Sequence, residues 1–127
     1  MKTRQNKKTG NFGENIAEKF LLKKGYSFIE KNFHAVGGEI DLIFKDSAKD
    51  EFVLVEVKTR KNKNFGNIFE SINKQKIEKI LLAAENFFLE KMELESVPDF
   101  RIDAVFVEIT KNGVFCEHMQ NIGLEDF

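Results

Sequence analysis

The sequence is short of cysteine and proline, carries almost no net charge and lacks any long apolar run. Of 127 residues one is cysteine and one is proline. Cys116 has no second thiol to pair with and no Cys or His at metal-ligand spacing, which excludes an internal disulfide, argues against a thiolate zinc site and favours a reducing cytosol. On its own it reads as a small, partly buried apolar residue. A single proline among eight glycines leaves little room for long disordered linkers. No stretch approaches membrane-spanning length. The basic opening "MKTRQNKKTG" gives way to "NFGENIAEKF", where the apolar core of a secretory signal would have to lie. A cytoplasmic chain with no membrane partner is expected. The formal charge of −1 argues against broad, nonspecific polyanion binding, so any claim of nucleic-acid contact rests on local clusters.

What is present is globular in type: 42% hydrophobic and 32% charged residues, in a length that can bury one self-sufficient core. The fourteen phenylalanines beside many Lys, Ile and Asn are in keeping with A/T-rich coding, and are not read as nucleic-acid recognition. No internal repeat is visible. A basic, flexible tail is expected over residues 1–11 and a single domain over 12–127. Ile16, Ala17, Phe20 and Leu21 recur at helical spacing until Gly25, predicting a helix over 13–24. Strands follow over 26–36, 39–46 and 51–60, the first two joined by a turn at Gly37 and Gly38. Ile77, Ile80, Leu81, Ala84 and Phe88 mark one face of a long helix over 68–92. After Pro98, strands over 100–110 and 114–122 flank an Asn-Gly turn. The order α-β-β-β-α-β-β predicts an α/β or α+β sandwich in which helices flank a central mixed sheet.

The stretch "EFVLVEVKTR" at residues 51 to 60 has two faces that disagree. Val53, Val55, Val57 and Thr59 point one way; Phe52, Leu54, Glu56, Lys58 and Arg60 point the other, apolar at first and then charged. The charges therefore sit at one end of a buried strand. Upstream, "GGEIDLIF" places Glu39 and Asp41 on the neighbouring hairpin strand, so Asp41, Glu56 and Lys58 converge if the faces coincide. Two carboxylates about 4 Å apart repel by roughly 4 kcal/mol at an effective dielectric near 20, and need a proton, a base or a metal ion. Carboxylate oxygens without a His or Cys cluster select Mg²⁺ or Mn²⁺ over zinc. Such a centre suits phosphodiester hydrolysis, with Asp41 and Glu56 holding the ion and Lys58 working beside it. An E-x-K tripeptide alone reads as an exposed ion pair. The second acid, on an adjoining strand among valines and isoleucines, is what gives the charges a reason to be there.

The runs "GENIAEKFLLKKGY", Asn32, "GGEIDLIFKD", "FVLVEVKTRKN", "FG" at 65 and 66, "INKQKIEKILLAAENFFL" and "FRIDAVFVE" resemble the YraN family of uncharacterised bacterial proteins across nearly the whole folded chain. That family is similar to the PD-(D/E)xK nuclease superfamily and distantly to archaeal Holliday junction resolvases. The resemblance implies a restriction-endonuclease-like fold and a metal-dependent endonuclease. It places the superfamily signature on Asp41, Glu56 and Lys58, and a frequent first-helix acid on Glu14, as a third metal ligand. The proline often found before the motif aspartate is replaced by Ile40, which leaves the ligands intact.

Other residues carry two readings each. Glu39 is a site-supporting acid or a solvent-facing turn residue. Gln75 resembles the glutamine or lysine that lines such nuclease sites, or is a solvated helix residue. Arg101 and Asp103 share a strand face as a structural ion pair. His34 and His118 are isolated and read as structural or solvated rather than catalytic, and Phe65 stacks on a base or anchors a loop. Arg60, Lys61, Lys63, Lys74, Lys76 and Lys79 surround the site in sequence, and Lys2, Arg4, Lys7 and Lys8 supply a basic arm; such groups grip DNA phosphates or merely face solvent. No base-reading motif is visible, so branched or flapped DNA fits better than one sequence. A noncatalytic nucleic-acid-binding or adaptor protein on the same fold is the rival, and a homodimer acting on a symmetric substrate is a further alternative.

Overall fold

A computed structural model describes residues 4–61 and 68–127, with side chains over 8–61 and 70–127. Two of its strands, β3 (Glu51–Arg60) and β4 (Phe100–Thr110), are apolar on both faces through their middles. Strands of that kind belong where both faces are covered. They pair in parallel, from Phe52 beside Phe100 to Arg60 beside Glu108, inside a five-stranded sheet of order β1-β2-β3-β4-β5. The others, β1 (Ser27–Ala35), β2 (Gly38–Asp46) and β5 (Gly113–Met119), join antiparallel. The sheet is therefore mixed and flanked by helices, in the expected order.

Each face has its own core. On one, Ala17 and Leu21 of α1 (Arg4–Lys23) pack against Leu42, Phe44, Val53, Val55, Val57, Val105 and Val107. On the other, Ile77, Ile80, Ala83 and Ala84 of α2 (Lys74–Glu85), with Phe87 and Phe88 of the π-helical turn Asn86–Lys91, cover Ile43, Leu54, Ile102, Ala104 and Phe106. Phe88 lies among Phe52, Phe87 and Phe100 at ring-centroid separations of 5.0, 5.3 and 5.8 Å. These aromatics are core. Among the described residues, no helix is long and apolar enough to cross a membrane.

Both helices depart from their expected bounds. α1 begins at Arg4, so the segment expected to be a loose tail is helical from there; Arg4, Gln5, Lys7 and Lys8 are good helix formers despite their polarity. The second helix does not run unbroken from 68. A 3₁₀ turn spans Ile68–Ser71, Asn73 is extended at φ −137°, and its Oδ1 accepts the Lys76 amide at 2.9 Å, opening α2 at Lys74. Asparagine is a strong N-cap because it satisfies such an amide.

The hairpin of β1 and β2 turns over midway. Lys31 faces α1, with Nζ 3.8 Å from Glu18, whereas Phe33 stacks edge-on against Phe87 on the α2 side. Regular alternation would put residues two apart on one face; Asn32, at φ 52°, breaks it. Opposite, Ile40 joins the α2-side core and Leu42 the α1-side core. Asp41 sits at that reversal.

The adjacent Gly37 and Gly38 serve different ends. Gly37 turns the hairpin at φ +83°. Gly38 has an ordinary φ, but a Cβ there would collide with the backbone carbonyl oxygen of Lys79, so its bare Cα lets α2 lie directly on β2. Gly38→Ala is expected to destabilise the protein by about 2 kcal/mol, the scale of an overpacked core. Gly10→Ala should instead stabilise it by about 0.5–1 kcal/mol, because Gly10 lies inside α1 with nothing within 4 Å of a new Cβ. Urea unfolding measures both, and an unchanged midpoint for Gly10→Ala would count against helix at that position.

Candidate functional site

Pairing between β2 and β3 runs from Asp46 beside Glu51 to Leu42 beside Val55 and then ends. The next amide of β3 on that side takes a side-chain acceptor instead, Val57 N–H donating to Asp41 Oδ2 at 2.8 Å. β3 continues beside β4 while β2 bends off. The gap is a cleft of about 450 Å³, lined by Thr9, Gly10 and Glu14 of α1, Glu39 and Asp41 of β2, Glu56, Val57, Lys58 and Thr59 of β3, Lys61, and Lys76 of α2.

Glu56 is 2% exposed at the cleft floor. Its Oε1 receives two ammonium groups, Lys58 Nζ at 3.7 Å and Lys76 Nζ at 3.5 Å. Lys76 also lies 3.8 Å from Glu39 Oε1, and His34 Nδ1 is 3.3 Å from Glu39 Oε2. The two lysines do not neutralise the floor. Burial, and then the charge of Asp41, push the Glu56 carboxyl up to about 7, against the pull of Lys76 and Lys58. Burial likewise raises Asp41, against the Val57 hydrogen bond and the Lys76 charge. For Lys76, burial disfavours the charge, but Glu56, Asp41 and Glu39 together outweigh it and hold the ammonium charged above its ordinary range.

The residues singled out from the sequence are thus distributed as follows. Asp41, Glu56 and Lys58 share the cleft with Glu14 and Glu39. Gln75 is exposed and outside the lining, while its neighbour Lys76 lies within it. Four residues before the buried Ile80, Lys76 continues the inward stripe of α2, and this spacing was the signal that could have promoted it. Of the cations expected to meet DNA, Lys61 is exposed at the cleft, and Lys74 and Lys79 are exposed on α2. Arg60 is half-buried and paired with Glu108 rather than open. Lys2, Lys63 and Phe65 lie outside the described residues, and Arg4 and Lys7 outside the described side chains. Thr9 and Gly10 were not anticipated, since they fall on a segment read as tail.

At the other end of the sheet, on the α1 face, Arg101 donates from Nε to Asp103, from Nη1 to Asp46 and Glu51, and from Nη2 to the Tyr26 hydroxyl, at 2.7 to 3.0 Å. His118 Nε2 meets Asp103 Oδ2 at 2.8 Å and its Nδ1 faces Lys24 Nζ at 2.8 Å. The expected Arg101–Asp103 pair is therefore the centre of a closed network.

The donor set of the cleft suits a hard divalent ion: carboxylates, of which buried Glu56 and half-buried Asp41 repel each other, with no thiolate or imidazole among the described lining residues. Among the described residues, no three Asp, Glu, His or Cys groups already form a metal cluster as placed.

Residues 13–107 match the model of a protein family described as "Uncharacterised protein family UPF0102". The chain belongs to that family. A UPF0102 protein of Clostridioides difficile is 38% identical over 116 residues, 91% of this chain and 96% of its own. Relatives in Caldanaerobacter subterraneus and Neisseria meningitidis serogroup C are 42% and 40% identical, covering 84% and 83% of this chain and 86% and 88% of theirs. The UPF0102 match takes in Glu14, Asp41, Glu56, Lys58 and Lys76, and leaves Thr9 and Gly10 ahead of it.

Glu56 gives a signed test. Unfolded, its carboxyl deprotonates near 4.5; folded, near 7. Below that window both states hold the proton; within it only the folded state does, so rising pH favours unfolding. The lost stability is complete above the folded value and is roughly 3 kcal/mol. Glu56→Gln, which cannot ionise, is expected to melt higher than the unsubstituted protein at pH 8, with the difference shrinking toward pH 4.5. Calorimetry across that range checks it; a variant that melts lower at pH 8 would mean that the lysine pairs outweigh burial.

Proposed function

We propose that this protein is a metal-dependent nuclease that hydrolyses DNA phosphodiester bonds at the cleft between β2, β3, α1 and α2. The observation that carries the reading is the mutually repelling pair of buried Glu56 and half-buried Asp41 beside two lysines, an arrangement that is unfavourable for stability and useful for phosphate chemistry. Asp41 and Glu56, with Glu14 from α1, would hold Mg²⁺ or Mn²⁺, which when bound supplies Lewis acidity toward the phosphate and a more acidic water. The chain's own groups do the rest. Lys58, fixed on a strand, sets an ammonium where negative charge grows on a phosphate oxygen as water attacks phosphorus and an ester oxygen leaves. Lys61 and Thr59 at the rim offer donors to flanking phosphates. Among the described residues that line the cleft there is no Arg, Asn or Gln to pair with a base edge, which supports selection by strand structure, such as a branch or flap, over selection by sequence.

The test is cleavage of labelled single-stranded, duplex, flapped and four-way-junction DNA in Mg²⁺ or Mn²⁺. Strand scission is expected, lost in EDTA and reduced at least about 100-fold by Asp41→Asn, Glu56→Gln or Lys58→Ala. Full activity in all three variants would remove the assigned site. Folded protein that binds DNA but never cuts it would assign a noncatalytic nucleic-acid-binding platform instead.

A further inference from the structure

α2 opens against its own dipole. Its first turn holds Lys74 and Lys76 and no acid, although the amino end of a helix favours negative charge and disfavours positive. Lys74 faces water, where the effect is screened. Lys76 does not: its side chain is 30% exposed and its ammonium spans two carboxylates on different strands, 3.5 Å from Glu56 and 3.8 Å from Glu39. A dication held by Asp41 and Glu56 would lie within a few ångströms of that ammonium and be repelled by it. Ion and ammonium would compete for the same oxygen, Glu56 Oε1.

We infer that Lys76 is a resident stand-in for the divalent cation, bridging Glu39 and Glu56 until a metal ion displaces it, after which its freed ammonium turns to the substrate phosphate. This rests on the nuclease reading above. Lys76 can make the exchange because it enters from a helix on a four-carbon stem that is already part-exposed, and its release leaves the sheet unchanged. Lys58 stays, because it rises from β3 next to Glu56 on the same strand face. The arrangement couples metal entry to substrate grip: before the ion arrives the cation is tied to acids, and afterwards it is available to an anion. It also accounts for Glu39, which holds the other side of the ammonium at 3.8 Å before the ion arrives.

The experiment is Mn²⁺ titration of the full chain by calorimetry, for the unsubstituted protein, Lys76→Met and Lys76→Arg, followed by oligonucleotide affinity at saturating Mn²⁺. Lys76→Met is expected to bind Mn²⁺ roughly tenfold more tightly, about 1.4 kcal/mol, and DNA more weakly; Lys76→Arg, which keeps the charge, should bind Mn²⁺ like the unsubstituted protein. Opposite signs in one variant are what a merely structural lysine would not give. Tight Mn²⁺ binding by Lys76→Met alone would be the strongest form of the result. Equal or weaker Mn²⁺ binding by Lys76→Met, where the unsubstituted protein binds, overturns the stand-in and leaves the nuclease reading in place. No Mn²⁺ binding by any of the three overturns both.

Discussion

Where β2 ceases to pair with β3, the Val57 amide needs an acceptor, and the Asp41 carboxylate supplies it. Much of the site depends on that substitution of a side chain for a strand. It lets β2 leave the sheet without orphaning a buried donor. It fixes one oxygen of Asp41, a residue that lines the cleft. It also brings a second acid up to Glu56, in surroundings where the two repel. Binding the amide helps hold Asp41 ionised, so the same contact that opens the cleft maintains part of its negative charge.

The two polar clusters of this sheet obey the same electrostatics with opposite outcomes. Around Arg101, burial opposes every charge, yet Asp103, Glu51 and Asp46 outweigh it and raise the guanidinium further, while His118, Asn121 and Arg101 hold the Asp103 carboxyl below its usual range. All three Arg101 nitrogens donate there, and the network ties Tyr26, between α1 and β1, to β2, β3 and β4. In the cleft, Asp41 and Glu56 are raised rather than lowered. Burial is common to both, so the difference lies in partners. A buried cluster that stabilises its charges is architecture; one that strains against them needs a role that compensates.

The sequence pattern exposed this division in part. The unlike faces of residues 51 to 60 were readable because β3 is regular: Val53, Val55 and Val57 do line one core, and Glu56 and Lys58 do follow Leu54 on the other side. The mixed sheet was readable from apolar runs and turns. What eluded period counting were the places where the chain departs from a period. The hairpin of β1 and β2 reverses its facing at Asn32 and Asp41, which no alternation predicts. α1 extends to Arg4 through polar residues that carry helix propensity without an apolar stripe. Gln75 and Lys76 differ by one position on a helix, about 100° of rotation, which is enough to send one to water and the other to Glu56.

The cleft's width is set from outside its own chemistry. A Cβ on Gly13 would come within 2.8 Å of the Thr59 Cβ, so α1 reaches β3 only because that position is bare, and Glu14 follows on the next residue. On the opposite wall Gly38 admits the backbone of α2 at Lys79, one turn beyond Lys76. Each wall thus rests on a glycine adjacent, in sequence or by one helical turn, to a charged group that lines the cleft. Packing density leaves such contacts little room to relax. Carboxylates on two walls and a floor can act together only if their separations are fixed to a fraction of an ångström. These two bare Cα atoms, which carry no chemistry, therefore govern whether the charged residues can meet.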